Sequence, residues 1–478
     1  MRFSHLHGGL ARTPLLLAPL ALAGCAITAP TPPEAGIAIP QGWSAEAPAA
    51  AAVEPADISE YWRMLGDPLL AQFVEQGIAQ NLDLAQGAAR LEQARAQLRL
   101  ARAAYAPQAS GSAGVQRDVG DLARDEFGFS LGAEASWEVD LFGRITGDVA
   151  AARAELAAAG YSLADLQRLV AGQVALSTIS ARATARQLDI ARDTLAYQDE
   201  NLQIARWRVQ AGLVSSLDVE QARTQRAQTA ATIPALESSL AATANALSTL
   251  IAEPPGRVLA LLDDASAPVP DPVRLTGFAP PAEVLRRRPD VRGAEASLLA
   301  NSARIGVARA QLLPLVRLTG NINTASTNVG DLFDIVTGGL FAGVTQLLFD
   351  GGRTAARIDS AEAAAEGSLA AWRQSILGAL EEVETATADR AAAEQRVDIF
   401  AEALDAASNA AILARSQYQA GLTDFPTLLT AESQLLSARN AVIGAQADRA
   451  SAFVRLTQAL GGGWSPENLS LPIDGTAE

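Results

Sequence analysis

The sequence has no lysine, one cysteine (Cys25) and only two histidines, His5 and His7, both near the N-terminus. Downstream of Cys25 these scarcities exclude an imidazole general base, a cysteine nucleophile and zinc held by His or Cys. Aspartate and glutamate remain, but they are spread along helix faces without forming an acidic cluster. The formal net charge of −16 argues against a nucleic-acid partner, whose binders are basic. It suits a solvated surface or a passage that prefers cations. Aromatics make up only 5% of the residues while alanine dominates, a mixture that favours long, closely packed helices over an aromatic core.

What the chain does have is a long repeat. Arg353 lies 209 residues after Arg144, and Gly421 lies 209 after Gly212. Upstream, Tyr105-Ala106-Pro107 matches Leu312-Leu313-Pro314 at an offset of 207. Two copies of one unit therefore fill most of the 478 residues, 61–251 and 282–460, joined by a proline-rich connector, 252–281. The second copy is followed by a tail, 461–478.

The N-terminus carries Arg2 and Arg12, then the apolar run Leu15–Ala21, then Leu22-Ala23-Gly24-Cys25. The run is too short for a permanent membrane span, so residues 1–24 read as a secretory signal. Leu-Ala-Gly-Cys resembles the bacterial lipoprotein signal, in which the cysteine becomes the acylated N-terminus. That resemblance implies diacylglycerol and an N-acyl chain on Cys25, with no other cofactor. Ordinary signal cleavage with an incidental cysteine is the alternative. Ala26 in place of aspartate implies, by the same resemblance, the outer membrane. Residues 25–60, rich in proline and alanine, read as a tether. Asp67 and Pro68 then supply an N-cap and first position for a short helix through Gln80.

Within each copy the period changes. Asp83–Ala104 has helical spacing, and Pro107 ends it. Glu126–Val139 alternates, with Phe127, Phe129, Leu131, Ala133, Ala135, Trp137 and Val139 on one side and Gly128, Ser130, Gly132, Glu134, Ser136 and Glu138 on the other. Period two over this length predicts a strand that suits a transmembrane barrel, paired with 108–117 across a loop at 117–125. A soluble sandwich strand is the alternative. The second copy (helix 290–312) repeats the pair within 315–349, as Leu315–Ala325 and Leu340–Phe349, the latter feeding directly into a Gly-Arg helix start.

Helices 145–211 and 352–420 follow. The first spans about 100 Å at ~1.5 Å per residue. Val149, Leu156, Leu163 and Val170 step by seven, as do Leu369, Ile376 and Val383, with Arg390 breaking the second series before Val397 and Leu404. Seven-residue spacing predicts coiled-coil packing. Gly212 and Gly421 turn each helix back, Arg206 and Arg415 read as last-turn cations, and Ser215 or Ser216 and Asp424 open the return helices 216–251 and 425–460. Helix reversal alone accounts for all of these residues.

Four strands per chain leave unpaired edges, so the chain is expected to oligomerise. Three copies give twelve strands, although two or four satisfy the arithmetic as well. Across the whole mature length the residues resemble the TolC/OprM-like outer-membrane factors of tripartite efflux pumps, in particular the NodT-like lipoprotein branch. The resemblance is carried by Leu22–Cys25, Tyr61-Trp62, Trp137–Arg144, Arg287–Val291, Leu348–Arg353, Tyr418–Gly421 and Ala459–Trp464, in that order. It implies a mainly α fold with transmembrane β: a homotrimer whose twelve-stranded β-barrel continues into a twelve-helix periplasmic α-barrel. An equatorial belt would be built from the N-terminal region, the connector and the tail.

By the same resemblance, a periplasmic adaptor (membrane fusion protein) meets the hairpin tips at Gly212, Leu213, Val214, Ser215, Gly421, Leu422, Thr423 and Asp424. An inner-membrane efflux transporter drives export, and outer-membrane lipid surrounds the barrel. Relatives place an acidic constriction at the position held here by Thr430, a departure that leaves Asp424 or Glu432 as substitutes. The function implied is a passive, non-enzymatic exit duct for small molecules such as drugs. The alternatives are a duct for type I protein secretion and a non-conducting, lipid-anchored coiled-coil scaffold. A carboxylate hydrolase would need a clustered acid pair that the sequence does not offer.

Overall fold

The computed structural model describes residues 34–44, 57–117, 119, 126–263, 267–273, 277 and 279–465. Cys25, the signal, most of the tether and most of the tail lie outside the described residues, as does nearly all of the loop at 117–125. Matched lengths display the repeat. Helices α2 (Leu82–Ala103) and α7 (Pro289–Ala310) each have 22 residues, α3 (Arg144–Gln210) and α8 (Arg353–Gln419) each 67, and α4 (Ser216–Leu250) and α9 (Phe425–Ala459) each 35. The remaining helices are short: α1 (Pro68–Gln80), α5 (Arg257–Leu262) and α6 (Pro281–Arg287). No helix among the described residues is long and apolar enough to cross a membrane.

The chain divides into two compact units. One contains a four-stranded antiparallel sheet, in the order β1 (Gln108–Arg117), β2 (Phe127–Val139), β3 (Leu315–Ser326), β4 (Val336–Thr345). Both copies of the repeat thus contribute a hairpin to one continuous sheet, with β2 paired to β3. The last strand differs from expectation. It occupies Val336–Thr345 instead of 340–349, so a non-strand segment separates it from α8. Its ladder ends where Thr345 faces Leu315, the first residue of β3, because Pro314 before it has no N–H to extend the pairing. At the other end, the Gly338-Gly339 pair hides a strand that β3 holds in register as far as Thr324.

Each long helix is started by the same device. Asp140 accepts from the backbone N–H of Ile145 and Thr146 and from the Thr146 hydroxyl. Asp350 accepts from the N–H of Gly352 and Thr354 and from the Thr354 hydroxyl. The chain enters α3 through Gly143 at φ 77° and α8 through Gly351 and Gly352 at φ 69° and 88°. These left-handed turns are why glycine precedes each arginine.

The other unit holds the main core. Tyr61, Trp62, Leu65, Leu70, Phe73 and Val74 pack with Val170, Val174 and Ile179 of α3 and with Phe453, Val454 and Leu456 of α9. Asp67 caps α1 as its sequence predicts, accepting from Leu69 and Leu70, and its second oxygen pairs with buried Arg182 at 3.0 Å. The N-terminal segment, connector and C-terminal segment are bound to this unit. The Trp43 indole donates to Ala279 O, Val273 N to Met64 O, and Gly463 N to Ile58 O.

A buried cation anchors the same unit. The Arg288 side chain is 1% exposed; it meets Asp290 at 2.6 Å and Glu382 at 2.7 Å and donates to Ala459 O. Burial pushes the Asp290 carboxyl up, but the hydrogen bond and charge of Arg288 outweigh it and hold the carboxyl below its ordinary value. Removing one member of such a buried pair costs about 3 kcal/mol, against under about 1 kcal/mol for an exposed pair such as Arg63–Glu75. Arg288→Met is therefore expected to lower the thermal midpoint clearly, and Arg63→Ala hardly at all. A depressed folded pKa means that the Asp290 contribution is complete above the ordinary carboxylate range and lost as pH falls through the folded value. The midpoint difference between wild type and Asp290→Asn should shrink correspondingly in thermal scans run at progressively lower pH.

Candidate functional site

Register assigns every strand residue to one of two faces, because residues directly opposite in an antiparallel ladder share a face. On one lie Val115 and Ala113 of β1, Phe129, Leu131 and Trp137 of β2, Ile322, Leu318 and Val316 of β3, and Leu340 and Val344 of β4. On the other lie Ser110 and Ser112, Glu134, Ser136 and Glu138, Thr319, Asn321 and Asn323, and Thr337 and Thr345. The apolar face is open to its surroundings: Leu340 is 96% exposed, and Val344, Ile322 and Val115 are also exposed. At one end of that face the Trp137 indole donates to Tyr105 O, and the Tyr105 hydroxyl to Thr146. Amphipathic aromatics so tied suit a membrane–water boundary.

The charges of the polar face are unevenly partnered. Glu138 accepts from Arg144 Nε at 2.7 Å and lies 4.0 Å from Arg317. Arg144 also pairs with Asp148 at 3.2 Å. The outer edges of β1 and β4 have no strand partner in the sheet.

The second candidate region is the pair of hairpin turns. Gly212 and Gly421 take φ 71° and 75°. Leu213 N donates to Arg208 O and Leu422 N to Gln417 O, the six-to-one bond that closes a helix end over a left-handed residue. Ser215 is the N-cap of α4, accepting from Leu217 N, and Asp424 is the N-cap of α9, accepting from Thr427 N and its hydroxyl. Leu213 and Leu422 are exposed, as are Gly212, Ser215, Gly421 and Asp424, while Val214 and Thr423 are half-buried.

The basic residues behave differently from expectation. The last-turn cation of α3 is Arg208 instead of Arg206, and α8 has none in its last turn. Arg208 serves the neighbouring helix. Its Nη2 donates to the terminal carbonyls of Tyr418 and Gln419 at 2.9 and 3.0 Å, and its guanidinium lies 4.3 Å from the centre of the Tyr418 ring. Beneath it, Tyr418 and Phe425 form a small core with Leu202, Ala411, Ala414 and Leu428. Spacing could not disclose this tie, because the repeat-equivalent of Arg208 is Gln417. Arg415 instead meets Glu432 at 3.3 Å and lies over the Tyr197 ring at 5.2 Å.

The three constriction candidates fare unequally. The Glu432 side chain is only 10% exposed, and it also accepts from Asn201 Nδ2 at 2.8 Å, so it joins α3, α8 and α9 within the chain. Asp424 is engaged as a cap, and the hydrogen bonds from the Thr427 hydroxyl and N–H hold its carboxyl below the ordinary range. Thr430 is exposed and donates to Pro426 O.

Comparison with known proteins gives one consistent result. The family model described as outer membrane efflux protein matches residues 73–253 and 281–462, one match per copy of the repeat. Pyoverdine export outer membrane protein OpmQ of Pseudomonas aeruginosa is 31% identical over 471 residues, covering 96% of this chain and 98% of its own length. Nodulation protein T of Rhizobium leguminosarum bv. trifolii is 30% identical over 414 residues, covering 85% and 88% respectively. Among solved structures, the outer-membrane channel OprN superposes with a TM-score of 0.79 at 30% identity, over 91% of this chain and 100% of that one.

Arg208→Ala leaves the terminal carbonyls of α8 without their side-chain donor, a loss of about 1 kcal/mol. Amide hydrogen exchange is expected to accelerate selectively across Tyr418–Leu422, with exchange in the α1 core unchanged.

Proposed function

The chain belongs to the outer membrane efflux protein family and is an outer-membrane efflux duct; on that premise we propose that three copies close into one barrel and conduct small molecules passively outward. The carrying observation is the four-stranded sheet with one apolar and one polar face and two open edges. In hydrocarbon each unpaired edge amide costs several kcal/mol, so β1 of one copy must meet β4 of the next until the ring closes. Three copies give twelve strands, with the apolar face towards lipid and the polar face towards water.

On this reading Gly212–Ser215 and Gly421–Asp424 form the ends that a periplasmic adaptor grips, linking the duct to an inner-membrane transporter. Exposed Leu213 and Leu422 beside tight, capped turns supply apolar contact on a rigid support. Cys25 carries the acyl chains that hold the N-terminus to the membrane. The reading assigns no catalytic step to the chain. The small-molecule cargo is supported by the whole-length likeness to a protein named for pyoverdine export.

Native mass spectrometry of detergent-solubilised protein is expected to give three protomers, and planar bilayers a steady conductance. A monomer, or an inserted assembly that passes no current, would contradict the duct. Cys25→Ser is expected to abolish incorporation of radiolabelled palmitate; undiminished labelling would remove the acyl assignment and leave the barrel untouched.

A further inference from the structure

Away from the end of the ladder, where Leu315 faces Thr345, one large apolar residue interrupts the polar face. Phe341 of β4 stands opposite Thr319, in the row of Ser136, and shares the face of Glu134, Asn321 and Asn323. It is 68% exposed. Its ring lies along its own strand over Gly343, where an added Cβ would come within 2.7 Å of Phe341 Cε1. The absent side chain thus gives the ring a seat, with the rest of the ring uncovered.

The charge nearest in kind is Glu134. Glu138 on the same strand is matched by Arg144 and Arg317, whereas Glu134 faces only Ser110 and Asn321 across the ladders and has no ion pair among the described residues. Glu134 stands in the row of Asn321 and Gly339, two strands and two residues from Phe341, about 12 Å away given ~4.8 Å per strand and ~3.4 Å per residue. Around them the face is rich in hydroxyl and amide groups: Ser110, Ser136, Thr319, Asn321 and Asn323.

We propose that Phe341 and Glu134 form a station on the lumen wall that retains aromatic cations in transit. The ring offers its face to the aromatic part of the solute, and the carboxylate supplies the charge opposite to its cationic part. This rests on the reading that the polar face lines a conducting lumen. An exposed aromatic contact contributes little, so the effect is a retention of a few-fold and does not plug the duct.

The test is block of bilayer conductance by benzyltriethylammonium and by tetraethylammonium, equal in charge and differing in the ring. In Phe341→Leu the aromatic probe, which alone can pair ring to ring, should block about three-fold more weakly, with tetraethylammonium unchanged. Phe341→Tyr should restore the difference. Glu134→Gln should weaken block by both probes. An unchanged ratio of the two probes in Phe341→Leu overturns the station while leaving the duct intact, and so does equal loss for both probes. A wild-type assembly that passes no current overturns the duct and the station together.

Discussion

The backbone amides along the outer edges of β1 and β4 set the conditions for everything else. Water would satisfy them at no cost; hydrocarbon offers no partner. The apolar face of the same sheet, with Leu340, Val344 and Ile322 exposed, places those edges in the medium that cannot hydrogen-bond them. A protomer is therefore an incomplete object, and the same incompleteness shows in the helices. Within the larger unit, α3 buries residues along its length, including Val170, Val174, Ile179, Leu188 and Ile190, whereas α8 buries a narrower line: Ile376, Ala379, Val383, Ala386, Ala393, Ala411, Ala414 and Tyr418. The rest of α8 leaves Leu377, Ile399, Ile412 and Leu413 exposed among alanines and charged residues, apolar surface that a neighbouring helix can cover.

Duplication supplies two similar hairpins, and divergence between the copies supplies what ties them together. Arg208 in the first copy holds the carbonyl ends of α8 in the second. Arg168 in the first donates to Gln458 O in the second, and Gln458 returns a bond to Arg168 O. Asn201 in the first meets Glu432 in the second. At the 209-residue offset Arg208, Arg168 and Asn201 correspond to Gln417, Leu377 and Ala410. Two identical copies would make each tie twice or not at all; unlike residues at equivalent sites fix which copy donates and which accepts.

This division explains what was legible beforehand. Period-two alternation in Glu126–Val139, the seven-residue steps, the glycine turns and the Asp67, Ser215 and Asp424 caps are local, and the structure places each as its neighbours in sequence require. β4 lies four residues before the span its own pattern predicts because its limits are set by β3, with Pro314 ending the ladder and Thr324 extending it. Position on one helix marks Arg206 and Arg415 as terminal cations, whereas the partner of an arginine is chosen by the helix beside it. Glu432 looked available for a constriction for the same reason; only packing shows Arg415 and Asn201 consuming its charge. Phe341 beside Leu340 reads in sequence as part of an apolar run, and only register puts the two on opposite faces.

The wall chemistry follows from the same constraint. A lumen face must be wet enough to exclude lipid yet bind cargo too weakly to trap it. Serine, threonine, asparagine and glycine meet the first condition with no net charge; of the two acids of that face, Glu138 is offset by two arginines and Glu134 has no ion pair among the described residues. Among the described residues many arginines are likewise spent in ion pairs, some within one helix, as Arg168–Asp165, and others between elements, as Arg182–Asp67 and Arg415–Glu432. A passage so lined needs no affinity to work: direction comes from whatever loads it, and the wall's task is to let solutes go.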